Sequence, residues 1–181
     1  NCSSLTDMKL SLTKAQMLER RRIADGLEPL RTDCAIEFTD GIDIDRMLEH
    51  DLRARYVDML ANADPRYLAV ECIEPVGLAE MKPDGVRLSL PPTCRRVFDI
   101  ELDTWYRPVA VQPLSMYNAI VSWQYNEYRA ATPLNPVAVL SPDGDILAWP
   151  EGKLVALHGI SDPGEDTYVL DESGLPLLLN N

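Results

Sequence analysis

Few residues in this chain have the type and spacing to do chemistry. His50 and His158 are the only two histidines. A serine or cysteine hydrolase needs a nucleophile, a base and an orienting acid, and no Gly-x-Ser-x-Gly stretch is present. His50 stands between Glu49 and Asp51, which suits a helix surface, and His158 ends a β-type run before Gly159, which suits a strand end. The four cysteines are Cys2, Cys34, Cys72 and Cys94, with no CxxC pair among them. Neither histidine completes a zinc-ligand spacing with a cysteine. A chain of this length does not need covalent staples. Four free thiols, in a reducing compartment, are therefore expected, with two disulfides as the other reading.

Asp40-x-x-Asp43-x-Asp45 gathers three carboxylates, but without the spacing, glycine and closing Glu of a calcium loop. Carboxylates suit a helix start with no metal at all. Asp162, Glu165 and Asp166 read as a solvated turn. There is no GxxxxGK[ST] or GxGxxG among only nine glycines, so nucleotide chemistry is not indicated. These residues imply no catalytic group, no cofactor and no metal.

Aromatics are more informative. Trp105, Tyr106, Tyr117, Trp123, Tyr125 and Tyr128 crowd one stretch. Such side chains line a β core, form a protein interface or stack on sugars, and the sequence leaves all three open.

The chain has 181 residues, room for one domain or for a helical piece joined to a second layer. Asp plus Glu number 29 against 17 Lys plus Arg, a net charge of −12. That balance disfavours phosphate-tracking nucleic-acid binding and adhesion to anionic membranes. No apolar run is long enough for a membrane helix. The polar start, Asn1 to Lys9, lacks a signal-peptide layout, though a removed leader would leave secretion open. From Leu134 to Asn181 eight acids face a single base, Lys153. Bases gather earlier, as in Arg20, Arg21 and Arg22, read as a solvated helix face.

The elements that position these residues change character along the chain. Ser11 is expected to cap a helix from Leu12 to about Asp25, with Gly26 past its end. Asp43 or Asp45 caps a second helix reaching about Ala63. Ile44, Leu48, Leu52, Tyr56, Leu60 and Ala63 form its apolar stripe, and Glu49–Arg53 and Asp51–Arg55 are spaced for ion pairs. Asp64-Pro65 ends that helix and can start another, while Arg66–Glu74 fits helix or strand. Short strands are then expected at Val86–Leu90, Arg96–Leu102, Arg107–Val111, Val137–Leu140, Ile146–Trp149, Lys153–His158, Thr167–Leu170 and Leu175–Leu179. Asp143-Gly144 supplies a hairpin turn. Leu114–Tyr125 is ambiguous, with some helical spacing. The expectation is an α+β fold: N-terminal helices over 1–74, then a small, mostly antiparallel β layer over 75–181.

Two stretches carry a resemblance. Leu90-Pro91-Pro92-Thr93-Cys94-Arg95-Arg96-Val97-Phe98-Asp99-Ile100-Glu101-Leu102 is followed by Trp105-Tyr106-Arg107-Pro108-Val109. Gln124-Tyr125-Asn126-Glu127-Tyr128-Arg129-Ala130-Ala131-Thr132-Pro133 then leads to Pro136-Val137-Ala138. This order resembles structural proteins of phages and prophage-like elements at the head–tail junction, of the connector or tail-tubular type. It departs from them at Thr93-Cys94, where an acid and a Phe or Met are usual, and at Ala131, where a Gly is. The resemblance implies a non-enzymatic assembly subunit, cytoplasmic or virion-associated, that packs against copies of itself and other particle proteins in a ring. Leu88, Phe98, Ile100, Trp105 and Val109 would hold its β layer. Trp105, Arg107, Trp123, Tyr125, Tyr128 and Arg129 become the interface candidates, with no sequence-specific nucleic acid and no membrane as partner. An acidic wall would let DNA pass through such a ring without sticking. The competing expectations are a β-rich module binding carbohydrate or peptide through the Trp105–Tyr128 aromatics, and a hydrolase using His50 or His158.

Overall fold

The computed structural model describes residues 9–27 and 43–179. Cys2, Cys34 and Asp40 lie outside the described residues. The fold is α+β, and the chain forms two compact units. Val70–Ser161 belong to one, and the described residues up to Ala69, with those from Asp162 on, belong to the other.

The helical unit begins with a strand. β1 (Lys9–Thr13) precedes α1 (Lys14–Ala24), where the sequence suggested a helix from Leu12. The reason is long-range: β1 pairs antiparallel with β10 (Thr167–Asp171), Leu12 lying opposite Tyr168. Thr13, not Ser11, caps α1 in a reciprocal capping box with Gln16. Gly26 follows the helix with a positive φ of 71°, as expected of a terminator. α2 (Ile44–Asn62) is capped by Asp43, whose carboxylate accepts from Arg46 N–H at 3.1 Å. Asp64 then caps a 3-10 turn over Pro65–Tyr67.

The buried stripe of α2 is Leu52, Tyr56, Met59 and Leu60, packed in a unit that also buries Leu12, Met17, Leu18, Tyr168, Leu170 and Leu178. The Tyr56 hydroxyl both donates to Val169 C=O at 2.9 Å and accepts from Val169 N–H at 3.0 Å, fastening α2 to β10. Asp51–Arg55 form the expected ion pair at 2.9 Å. Glu49 instead reaches Lys14, and Arg53 reaches Asp162, each at 2.7 Å. Arg21, expected on a solvated face, is buried: it donates to Asp25 at 2.8 Å and to Leu179 C=O at 2.7 Å. Arg22 pairs with Asp45. Leu175–Leu179, read as a strand, is the short helix α4 against α2. Residues 162–179 therefore fold with the helices and not with the β region in which the sequence placed them, because β1 recruits β10 and α2 recruits α4.

The β unit holds an eight-stranded sheet, larger than the small layer expected. Its strands are β2 (Glu71–Cys72), β3 (Gly77–Met81), β4 (Gly85–Ser89), β5 (Cys94–Leu102), β6 (Val109–Gln112), β7 (Val137–Leu140), β8 (Ile146–Trp149) and β9 (Leu154–Ser161). Their order is β2-β9-β5-β6-β7-β8-β4-β3, antiparallel except for β6 beside β7. Residues 66–74 resolve into the end of the 3-10 turn and then β2. The sheet curls, since its two edge strands, β2 and β3, are neighbours in sequence. One core lies against Val86, Leu88, Ile100, Leu102, Ala138, Ile146 and Leu157. A second lies under α3 (Tyr117–Gln124), around Ile120, Val139, Leu147 and Trp149. Helices are thus not confined to the N-terminal third: α3 interrupts the strands and α4 follows them. The β7–β8 hairpin turns at Gly144, with φ 84°, where Asp-Gly predicted it. Among the described residues no helix is long and apolar enough to cross a membrane.

Candidate interface and side-chain sites

The six interface candidates separate by burial. Trp105 is 6% exposed and belongs to the core, its indole N–H donating to Pro150 C=O at 2.9 Å. A buried indole needs such a partner, and the turn after β8 provides it. Trp123 is half-buried and packs on the core beneath α3. Neither tryptophan is presented to a ligand. Tyr125 and Tyr128 are 73% and 94% exposed, and Arg107 and Arg129 are exposed too. Tyr106, 77% exposed, stood among the aromatics the sequence offered for an interface but outside the six interface candidates, and Leu134, 67% exposed, was in neither set.

Two loops of the β unit carry these groups, and the backbone fixes both. Trp105 roots the 103–108 loop in the core, and Tyr106 N–H donates to Pro133 C=O at 3.2 Å, tying that loop to the next. Gln124 is buried at the end of α3. Its amide donates to Ile120 C=O at 3.0 Å and accepts from Ala131 N–H at 2.9 Å, closing the 125–131 turn. Inside that turn the Asn126 side chain accepts from Tyr128 N–H at 3.0 Å, and its carbonyl accepts from Arg129 N–H at 2.9 Å. An Asn that bonds the backbone two residues on builds a defined turn. The tyrosines are held out by ordered loops, so little backbone entropy is lost when a partner covers them.

A separate groove of about 540 Å³ in the same unit is lined by Cys94, Arg96, Phe98, Val111, Gln112 and Leu140, among others, and by none of the Trp105–Tyr128 aromatics. Arg96 lies over the Phe98 ring at 4.9 Å. Burial pushes the half-buried Cys94 thiol up from its ordinary value, with its bond to Arg96 C=O pulling the other way.

The expectation of four free thiols is overturned: Cys94 is free, but Cys72 is disulfide-bonded. His50 is exposed on α2. His158 lies inside β9, not at its end, and its Nδ1–H donates to Asp99 Oδ1 at 2.7 Å. Cys94 stands opposite Ser161, whereas the residue facing His158 from β2 is Cys72. Nothing local in sequence signals that juxtaposition, because strand register creates it. Among the described residues no group of three His, Cys, Asp or Glu side chains has the arrangement to hold a metal.

The acidic segment is less uniform than its sum. Asp143 and Asp145 embrace Arg87 at 3.0 and 2.5 Å, and Asp162 holds Arg53. These acids are partly neutralised and are divided between the two units. No protein-family model matches the chain, and a comparison with curated proteins finds no match.

Proposed function

We propose that this chain is a non-enzymatic assembly subunit of a phage or prophage-like particle, placed at the head–tail junction. It contacts copies of itself and other particle proteins in a ring. The observation that carries the reading is the exposed tyrosine set, Tyr106, Tyr125 and Tyr128, on two mutually bonded loops flanked by Arg107 and Arg129. Tyr and Arg are enriched where protein partners bury a surface, and rigid loops favour that use. The resemblance over Leu90–Val109 and Gln124–Ala138 supplies the particle context. The disulfide at Cys72 favours residence in the assembled particle over the reducing cytoplasm.

The second reading is a carbohydrate- or peptide-binding module. Exposed tyrosines favour it too, but its best stacking rings, Trp105 and Trp123, are committed to the core. The groove of the β unit also lacks these aromatics. Mass in solution distinguishes the readings: the protein is measured at several concentrations, alone and with the products of neighbouring genes. Association that Tyr125→Ser and Tyr128→Ser weaken supports assembly. A strict monomer that binds none of those products sinks it.

A further inference from the structure

We propose that the tyrosine-bearing loops of one copy of this chain cover the β3 edge of a second copy, with Arg107 and Arg129 set against Glu74 and Glu80. This rests on the assembly reading and names the surface those loops meet between copies. The exposed large hydrophobic side chains of the β unit carry the argument. Among the described residues, all of them except Leu114 and Val155 fall into two groups. Tyr106, Tyr125, Tyr128 and Leu134 form the first, on the two bonded loops. Val76 and Leu78, 73% and 50% exposed, form the second, at β3. Apolar side chains grouped at a surface mark a place that a partner covers.

The two groups are flanked by opposite charges. Among the described residues the Arg107 and Arg129 side chains form no ion pair or hydrogen bond, in a chain with 29 acids against 17 Lys plus Arg. Arg87 of the same unit, by contrast, is held by two aspartates. Glu74 and Glu80 are exposed on either side of Val76 and Leu78 in sequence, and their side chains form no such bond either. The acids nearest in sequence to the first group are Glu127 and Asp103, and Asp103 accepts from Lys153 N–H at 2.8 Å. The base nearest to the second is Lys82, with Asp84 two residues on. Two chains of net charge −12 repel at a distance. A contact between copies therefore requires local opposition of charge, and these two groups provide it.

Strand order explains why β3 is left open. It ends the sheet and pairs with β4 alone. Leu78 lies opposite Leu88, and Glu80 opposite Val86. Directly opposed residues share a face, so Leu78 and Glu80 extend the face on which Val86 and Leu88 are buried. β3 forms the rim of that core, and Leu78 stays half-exposed there. Edge strands are commonly guarded by Lys, Pro or a bulge. Within β3 there is none: Gly-Leu-Ala-Glu-Met pairs with β4 in unbroken register, and Lys82-Pro83 come only after it. Two different patches that complement one another make a head-to-tail contact, the kind that closes into a ring.

Sedimentation velocity of the full chain over a concentration series tests this, with circular dichroism to check the fold. Wild type should self-associate. Arg129→Glu and Glu80→Arg change exposed side chains with no bond to lose. Each should weaken association at least tenfold, because like charges then face each other. Mixing the two variants should restore it, since each offers the other a patch of opposite charge. Arg20→Glu, on the exposed side of α1, changes the net charge as Arg129→Glu does and should leave association unchanged. A wild type that is monomeric at every concentration overturns the proposal. So do variants that associate as wild type does, a mixture as weak as its parts, or an equal loss in Arg20→Glu, which marks net charge and not the contact. The assembly reading fails separately: a wild type that is monomeric alone but binds a product of a neighbouring gene through Tyr125 and Tyr128 keeps that reading and loses this one.

Discussion

Replacing Tyr56 with Phe removes one oxygen from the helical unit, and the structure indicates what that costs. Tyr56 is 0% exposed, packed edge-on against Tyr168 with ring centroids 5.0 Å apart. Its hydroxyl bonds both polar backbone groups of Val169. Phe keeps the packing and leaves that N–H and C=O without this partner. A typical internal hydrogen bond contributes about 1 kcal/mol net, and a buried group left unpaired costs about 1–3 kcal/mol. Tyr56→Phe should therefore destabilise the protein by about 2–3 kcal/mol. Urea unfolding followed by circular dichroism should show a lower midpoint at unchanged slope. Tyr128→Phe, on a ring that is 94% exposed, is the control and should shift nothing.

The two proteins should also differ in alkali. Burial pushes the Tyr56 hydroxyl up to about 12 from 10.0, against the opposing pull of its Val169 bond. Because the folded value lies above the unfolded one, this contribution is complete below about pH 10 and is lost as pH rises through about 12. Tyr56→Phe lacks the group and should lack that part of the alkaline decline. A loss under about 0.5 kcal/mol, the range of ordinary surface substitutions, would refute the account of how α2 is fastened to β10.

Other outcomes follow from particular contacts. A Cβ at Gly159 would meet Arg96 O at 2.6 Å, a backbone atom that cannot swing aside. Gly159→Ala should therefore cost about 1–3 kcal/mol in thermal or urea unfolding through strain between β5 and β9. The Cys94 thiol, raised by burial, carries less thiolate at neutral pH than an ordinary cysteine. Its alkylation at pH 7.5 should be slower than that of a cysteine in an unfolded peptide, and should reach the peptide rate in denaturant. Asp162→Asn removes the charge that holds the Arg53 guanidinium at 2.7 Å through both oxygens. With Asp162 almost wholly buried, it should lower stability by about 1–3 kcal/mol in the same unfolding assay.

What was legible in the sequence is what short-range physics determines. The β7–β8 hairpin carries its own turn, Asp143-Gly144, and its strands match the expected bounds. The start of α2 follows from Asp43, and the stop from Asp64-Pro65. Elements that depend on distant partners were not legible. Leu10 and Leu12 look as helical as they look extended until β10 lies beside them. Leu175–Leu179 is a uniform apolar run with no period to read, and its packing on α2 decides for helix. β3 has a Gly-Leu-Ala-Glu-Met sequence with little β propensity, and pairing with β4 makes it a strand. At the candidate interface, residue type located the right stretch but not the exposed members. Trp105 is core because Pro150 offers its N–H a partner. Tyr128 is exposed because Asn126 builds its turn. The Cys72–His158–Asp99 row arises wholly from register across three strands.

The assembly proposal assigns the tyrosine-bearing loops the contacts with other particle proteins. Sedimentation of wild type and of the double variant Tyr125→Ser, Tyr128→Ser, each mixed with the products of neighbouring genes, tests it most directly. Wild type should form a complex, and an equally stable variant a complex at least tenfold weaker. Unchanged association of the variant, or a wild type that stays monomeric with every product, would contradict it.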